Sequence, residues 1–381
     1  MDFIWNDSAS NEGVTTPAVE QDVQTDLQER RERLTRGRGA GVNVSNRFEK
    51  QTYAAEVLEM LDEDLLVPEK TQIIYTYPKT IVNKVDSPDL PFEYSLNPYQ
   101  GCEHGCVYCY ARPTHEYWGY SGGLDFERKI IVKKNAVELL EKQLSSKNWK
   151  VAPILLSGNT DCYQPIERDL EITRRLLQVC LKYKHPVSII TKNTLIKRDM
   201  DILRQLAAEN LVHVYVSITG IDEKLRRIME PRTATFKSRI ELISTLTAAG
   251  IPVGVMVAPI IPGLNNHEIP LVLQEAGIAG ARTAGMTIVR LNGVVEPVFK
   301  EWLERHYPDR AEKVWSQIAE CHGGHVGDSR SGVRMRGEGK IAASIHSLFD
   351  ISKQRFITEK PFAFNFEAYN KDANDIQLSL F

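Results

Sequence analysis

From Tyr94 onward, short apolar runs alternate with longer segments of helical period, and this alternation constrains the fold more than any other feature of the chain. Strands are predicted over 94–96, 154–157, 187–191, 213–218, 253–258 and 287–290. Helices are predicted between them over 136–144, 170–182, 198–209, 238–249 and 269–276, with Gly250 and Pro252 placed to stop the fourth. Six strands alternating with helices predict an α/β architecture with a parallel sheet and right-handed crossovers, either an open doubly wound sheet or a partial barrel. Both build their sites at the C-terminal ends of strands.

The flanks read differently. Residues 1–45 are polar, lack a helical or strand period, and carry Arg30, Arg31, Arg33, Arg36 and Arg38 before Gly39 and Gly41, which predicts a mobile tail able to touch phosphate. Residues 46–93 form a lead-in, with an amphipathic helix predicted over 47–66 and a strand over 73–77. The α/β domain occupies 94–295. Beyond it, 296–369 reads as a helical extension around a glycine-rich loop, with helices over 298–306, 311–320 and 340–349, and 370–381 reads as a flexible tail.

Lys and Arg number 47 against 50 Asp and Glu, a net charge of −3. This is not the strongly basic balance of a protein that coats nucleic acid, so any such contact must be local. No apolar run approaches the roughly 18 residues that span a bilayer, and the first residues lack the basic-then-apolar order of a secretory signal. The expected compartment is the cytoplasm, with no membrane partner.

Six cysteines are too few and too clustered for a disulfide framework. Cys162, Cys180 and Cys321 are scattered and read as small buried hydrophobes. Cys102, Cys106 and Cys109, by contrast, stand at C-x-x-x-C-x-x-C spacing on the loop after the first predicted strand. Three thiolates so close permit a [4Fe–4S] cluster held at three irons with the fourth left open. Zinc competes, because His104 or His115 would complete a closed Cys3His site. Left unligated, three surface thiols in one loop would be an oxidation liability.

With Tyr108 before the third cysteine, this segment resembles the cluster loop of the radical S-adenosylmethionine (SAM) superfamily. The resemblance implies a partial (β/α)6 TIM-type barrel of the radical SAM type, with a [4Fe–4S] cluster on Cys102, Cys106 and Cys109 whose open iron is chelated by SAM. One electron, from a donor such as flavodoxin or ferredoxin, would cleave SAM to methionine and a 5′-deoxyadenosyl radical that takes hydrogen from a substrate. Over 94–290 the chain further resembles the spore photoproduct lyase-like branch, often labelled DNA-repair photolyases. Tyr108, Cys109 and Tyr110 repeat its aromatic–Cys–aromatic arrangement, which implies a cofactor contact for Tyr108 and a catalytic place for Tyr110.

The same resemblance assigns the polar loop after the second strand to the SAM amino group, with Gly158, Thr160 and Asp161 as contacts. Independently, a glycine there lets backbone approach a ligand, and an aspartate at a strand end suits an ammonium. Lys192 matches the branch's SAM-carboxylate lysine, Ser217 a SAM-contacting serine, and Ala258 falls in the strand beside adenine, while Glu230, Pro231 and Arg232 follow as in the branch. One departure stands out. Where the lyase has a hydrogen-donating cysteine this chain has Gly158, and Cys162, on the other side of the aspartate, is the alternative donor.

Two further features bear on partners. Gln377, Leu378, Ser379, Leu380 and Phe381 resemble the peptide by which bacterial polymerases and repair proteins bind the DNA sliding clamp, with a polar tether before it. With the branch resemblance, this implies nucleic-acid repair or modification; a zinc- or cluster-containing clamp-associated binding protein, and radical chemistry on a small metabolite or protein, are the alternatives. Cys321, His322 and His325 read as a glycine-rich loop with satisfied histidines rather than a second metal site, and Arg334 and Arg336 as loop charge suited to phosphate.

Overall fold

The computed structural model describes residues 35, 37–48, 70–358 and 362–373. Contacts divide the chain into two units, 1–36 with 57–69, and 37–56 with 70–381. Apart from Thr35, every described residue belongs to the second unit. The predicted helix over 47–66, most of the arginine run and the C-terminal Gln377–Phe381 peptide lie outside the described residues.

The described residues form ten strands: β1 (Gln72–Thr76), β2 (Val82–Lys84), β3 (Tyr94–Leu96), β4 (Tyr99–Gln100), β5 (Lys129–Lys133), β6 (Ile154–Leu156), β7 (Val187–Thr191), β8 (Val212–Ser217), β9 (Val253–Ile260) and β10 (Thr283–Ile288). The main sheet runs β10-β9-β8-β7-β6-β3-β2, with β2 antiparallel to β3 and the other six strands parallel in order of sequence. A doubly wound sheet would reverse that order at a switch point. Unbroken sequential order, with the right-handed crossovers that are the rule for such units, puts the helices on one face and is consistent with a partial barrel whose edge strands are β10 and β2.

Pleating sorts the side chains. Val187 and Ile189, in register with Val212 and Val214, join Val253 and Val255 in the core against Leu176, Leu203, Leu242 and Leu273 of the surrounding helices. The other face carries Ser188, Ile190, Tyr215, Ser217, Met256 and Ala258, several of them small or polar and only partly buried. Gly254 is required there, because a Cβ would stand 2.6 Å from the Tyr215 ring.

Local signals set the helix limits. The Asp222 carboxylate accepts from the amides of Lys224 and Leu225, and the Thr235 hydroxyl from that of Ser238, starting the helices Glu223–Met229 and Phe236–Ala248. Gly250, at φ +77°, ends the second. Helices Val295–His306, Ala311–Glu320 and Gly339–Phe356 form the C-terminal extension. Residues 362–373 lie against the N-terminal ends of β7 and β8: Asn365 N donates to Asn210 O (3.0 Å), Asn370 N to Tyr183 O (3.0 Å), and Phe362 stacks on His213 at 5.3 Å. Among the described residues no helix is long and apolar enough to cross a membrane.

Three departures from expectation have physical reasons. β10 begins at Thr283 instead of 287, its small first residues giving no strand signal because Gly285 lies under Met256. β5 was not expected; it belongs to a second, three-stranded sheet, β1-β5-β4, that ends two residues before the first cysteine of the cluster. Residues 37–45, expected in the mobile tail, are packed: Gly39 N and Ala40 N donate to the Glu127 carboxylate (3.0 and 2.8 Å), and Arg38 donates to Glu127 O.

Candidate active site

The loop that follows β4 is held from several sides. Cys102 N donates to Phe126 O (2.9 Å), Cys109 N to Cys106 O (3.3 Å) and Val107 N to Met229 O (3.1 Å). Gly101 and Gly105 adopt left-handed φ of +77° and +67°, and a Cβ on Gly105 would meet the Glu127 carboxylate at 2.8 Å. Beneath them the fully buried Arg112 donates to Cys106 O, Gly122 O and Gly123 O, and pairs with Glu127 at 2.6 Å. This buried ion pair fixes the loop, and breaking it by removing one partner would cost about 3–5 kcal/mol.

None of the three cysteines is in a disulfide; Cys102 and Cys106 are buried and Cys109 is partly so. Burial pushes each of them up, Cys106 to about 12, and the charge of Cys106 adds to the rise at Cys102. Three thiolates crowded out of water require positive charge among them, which is what an iron–sulfur cluster supplies. Among the described residues no three His, Cys, Asp or Glu side chains are grouped to hold a single metal ion. That is no obstacle to a cluster, since thiolates bound to three different irons need not converge on one point. His104 is engaged elsewhere, standing between Asp161 (3.4 Å) and Asn193 (3.3 Å). His115 packs beside Phe126 and Tyr120 with both ring nitrogens buried and without a hydrogen-bond partner among the described residues.

The strand ends bring most of the expected residues around this loop. The Asp161 carboxylate accepts from Thr191 Oγ1, Lys192 N and Tyr163 N at 2.8–2.9 Å, tying the ends of β6 and β7 together. Thr160 Oγ1 donates to Tyr99 O (2.9 Å) and its amide to Asn97 Oδ1 (3.3 Å), so it braces the root of the cysteine loop. Lys192 extends over the Tyr108 ring at 6.0 Å. Burial alone would pull its ammonium down, but the negative charges of Cys106 and Glu230 outweigh that and raise it. Ser217 and Ala258 stand on the inner face of β8 and β9, with Ser217 O accepting from Arg239 (3.0 Å). Tyr110 is half exposed, its hydroxyl donating to Gly158 O (2.6 Å).

Cys162 is not brought into this group. It is wholly buried in the main core with Tyr99 and Tyr163, its amide donating to Ser157 Oγ (2.8 Å), and burial pushes its thiol well up. Sequence reasoning also passed over Arg112, Glu127, Arg239 and Asn97. Their roles depend on partners far along the chain, and no local pattern distinguishes such a residue from solvated surface polarity. The residues Cys321, His322 and His325 follow the expectation for satisfied histidines only at His322, whose ring bonds Val289 O (2.7 Å) and faces Asp328 (3.4 Å).

Comparison with known proteins identifies the family. The sequence profile of the Radical SAM superfamily matches residues 96–276, from the end of β3 into the helix after β9. Over 234 residues, 61% of this chain and 69% of the relative, the chain is 36% identical to an uncharacterized protein of Mycobacterium tuberculosis. The chain belongs to the radical SAM superfamily. A second relative, an uncharacterized protein of Methanocaldococcus jannaschii, is 30% identical over 251 residues, 66% of this chain and 89% of that one. Among solved structures, spore photoproduct lyase has a similar fold at TM-score 0.54 and 16% identity, over 77% of this chain and 82% of the lyase. Spore photoproduct lyase complexed with a dinucleoside spore photoproduct matches at TM-score 0.53 and 15% identity, with the same coverage. The likeness to the lyase is one of fold. As a radical SAM enzyme the chain belongs to a family whose members use a [4Fe–4S] cluster and SAM.

Proposed function

We propose that this radical SAM enzyme holds its [4Fe–4S] cluster on Cys102, Cys106 and Cys109, binds SAM across the ends of β6 to β9, and acts in nucleic-acid repair or modification. The observation that carries the first part is the position of Lys192, whose ammonium lies beside Cys106 and over Tyr108 at the open end of the sheet. When bound, the cluster and SAM supply one-electron cleavage of the sulfonium and a 5′-deoxyadenosyl radical able to abstract hydrogen.

The chain's own residues orient and enclose. Lys192, kept charged by Glu230, suits the SAM carboxylate. Asp161, fixed by three donors, presents a carboxylate suited to the SAM amine. Gly158 leaves room for the ligand beside Ser95, and Ser217 and Ala258 form the inner wall against the adenosyl group. Tyr108 closes the cluster side, and Tyr110 stands where a substrate would enter.

The substrate class is supported by the fold shared with spore photoproduct lyase, which has been solved with a dinucleoside spore photoproduct. The terminal residues Gln377 to Phe381 support work at DNA through a sliding clamp, and their deletion should abolish clamp retention in a pull-down. An acidic one-electron carrier of the flavodoxin or ferredoxin type is the expected reductant, in the cytoplasm. The deciding experiment incubates the reconstituted enzyme with SAM and deuterated nucleic acid, undamaged or irradiated, and measures deuterium in the 5′-deoxyadenosine formed. Transfer supports the reading. Vigorous formation without deuterium from any nucleic acid would redirect the search to metabolites or proteins.

A further inference from the structure

Arg290 lies just beyond β10, with its backbone fixed on both sides: Ile288 N donates to Met335 O (3.2 Å) and Leu291 N to Val326 O (2.8 Å). Its guanidinium, partly buried, stands 5.8 Å above the ring of Tyr110, and its hydrogen-bond acceptor is the thioether of Met335. A thioether is a weak acceptor, and a guanidinium offers five donors in a planar fork. Among the described residues no carboxylate lies within ion-pair distance of Arg290, although other enclosed arginines have one: Arg112 pairs with Glu127, Arg239 with Glu230 and Arg198 with Asp199.

The acids nearby are committed. Asp89 faces Arg334 at 2.6 Å and accepts from Gly332 N at 2.5 Å, while Asp328 faces Arg330 at 2.8 Å. Burial and then the charge of Arg334 depress the pKa of Arg290, and the charges of Asp89 and Asp328 offset this only in part. Stacking on a half-exposed tyrosine offsets only part of that, since cation–π contacts at exposed sites are weak. A partly desolvated guanidinium with spare donors, at the open end of a barrel and beside a residue that reaches the SAM-side loop through Gly158, is arranged to meet an anion.

We propose that Arg290 receives an oxyanion of the substrate, a phosphate or a carboxylate group, at the mouth of the barrel. This rests on the radical SAM reading of the site, because it takes the strand ends as the place where substrate meets SAM. The binding is bidentate, and with Tyr110 beneath it the anion's position sets how far the rest of the substrate reaches inward. Lys192, just after β7, remains for the SAM carboxylate.

The test is arginine labelling of the reconstituted full chain with phenylglyoxal, mapped by mass spectrometry, in the presence of inorganic phosphate, a thymidylyl-thymidine phosphodiester or acetate. Arg290 should label faster than the ion-paired Arg239 and be slowed about tenfold by the anion class it takes, phosphate with the phosphodiester or acetate. Binding of that same anion should weaken about tenfold in Arg290→Gln and less in Arg290→Lys. Labelling of Arg290 that none of the three anions slows, or anion binding unchanged in Arg290→Gln, would overturn the proposal. SAM cleavage is assayed separately on the same preparation, so failure of the radical SAM reading is seen independently of failure at Arg290.

Discussion

The phenol of Tyr108, one residue before the third cysteine, donates to the buried carboxylate of Glu230, 122 residues further along the chain. Glu230 also pairs with Arg239 at 2.7 Å, and Arg239 donates to Ser217 O at 3.0 Å. A continuous polar chain therefore runs from the cysteine loop to the end of β8. Removing its central charge strands a buried guanidinium, so Glu230→Ala should destabilise the protein by about 3–5 kcal/mol. Tyr108→Phe removes one hydrogen bond and leaves the ion pair, and should cost about 1 to 3 kcal/mol. Chemical denaturation of the two variants checks the order; equal losses would contradict the assigned centre of the network.

The approach of residues 37–48 to the cysteine loop predicts a steric effect. A Cβ on Gly39 would stand 1.8 Å from the Gly105 carbonyl oxygen, too close for any side-chain adjustment to relieve. Gly39→Ala should therefore undock this segment, with faster hydrogen exchange at residues 39–44 and a loss of about 1–3 kcal/mol. Gly250→Ala, which meets nothing within 4 Å, strains only the left-handed backbone and should leave exchange at 39–44 unchanged.

His213 predicts a pH dependence far from the cysteines. It is buried against Phe362 and Tyr215, and burial, helped by Arg282, lowers its pKa to about 4. The unfolded chain takes up its proton near pH 6.5, earlier than the folded one, so the stability is present above about 6.5 and is lost as pH falls toward 4. The shift corresponds to about 3 kcal/mol for this group. In denaturation from pH 7 to 4, His213→Gln should flatten the slope; an unaltered slope would assign the loss to other groups, of which His185, also lowered to about 4 by burial, is the first to examine.

Most of the fold was legible because it rests on local pattern. Apart from Ser95 and Ser188, the runs at 94–96 and 187–191 are apolar or β-branched, and β3 and β7 occupy those positions. The grouping of Cys102, Cys106 and Cys109 on one loop was legible from their spacing. What holds them was not: Arg112 reads as one more basic residue until Glu127 is folded beneath it, and Arg239, fourth in its helix, reads as a solvated helix position until Glu230 is in place. Cys162 was misleading for the same reason. Its neighbourhood in sequence is the polar loop of the site, whereas its neighbourhood in space is the core.

That placement makes a prediction about Cys162. With no exposed surface, its thiol does not face an entering substrate, so Cys162→Ala should leave conversion of substrate to product unchanged and cost about 1–2 kcal/mol from the small cavity. Chromatography and denaturation measure the two effects. Loss of turnover in a variant that keeps its stability would restore Cys162 to the hydrogen-donating role.

The central claim is tested most directly by 5′-deoxyadenosine itself. The protein is purified and reconstituted anaerobically, its iron and sulfide are counted, and it is reduced with dithionite in the presence of SAM, beside a Cys106→Ala control. The account predicts a four-iron complement and 5′-deoxyadenosine that disappears in the control. Zinc without iron, or a reduced cluster that never cleaves SAM, would contradict it.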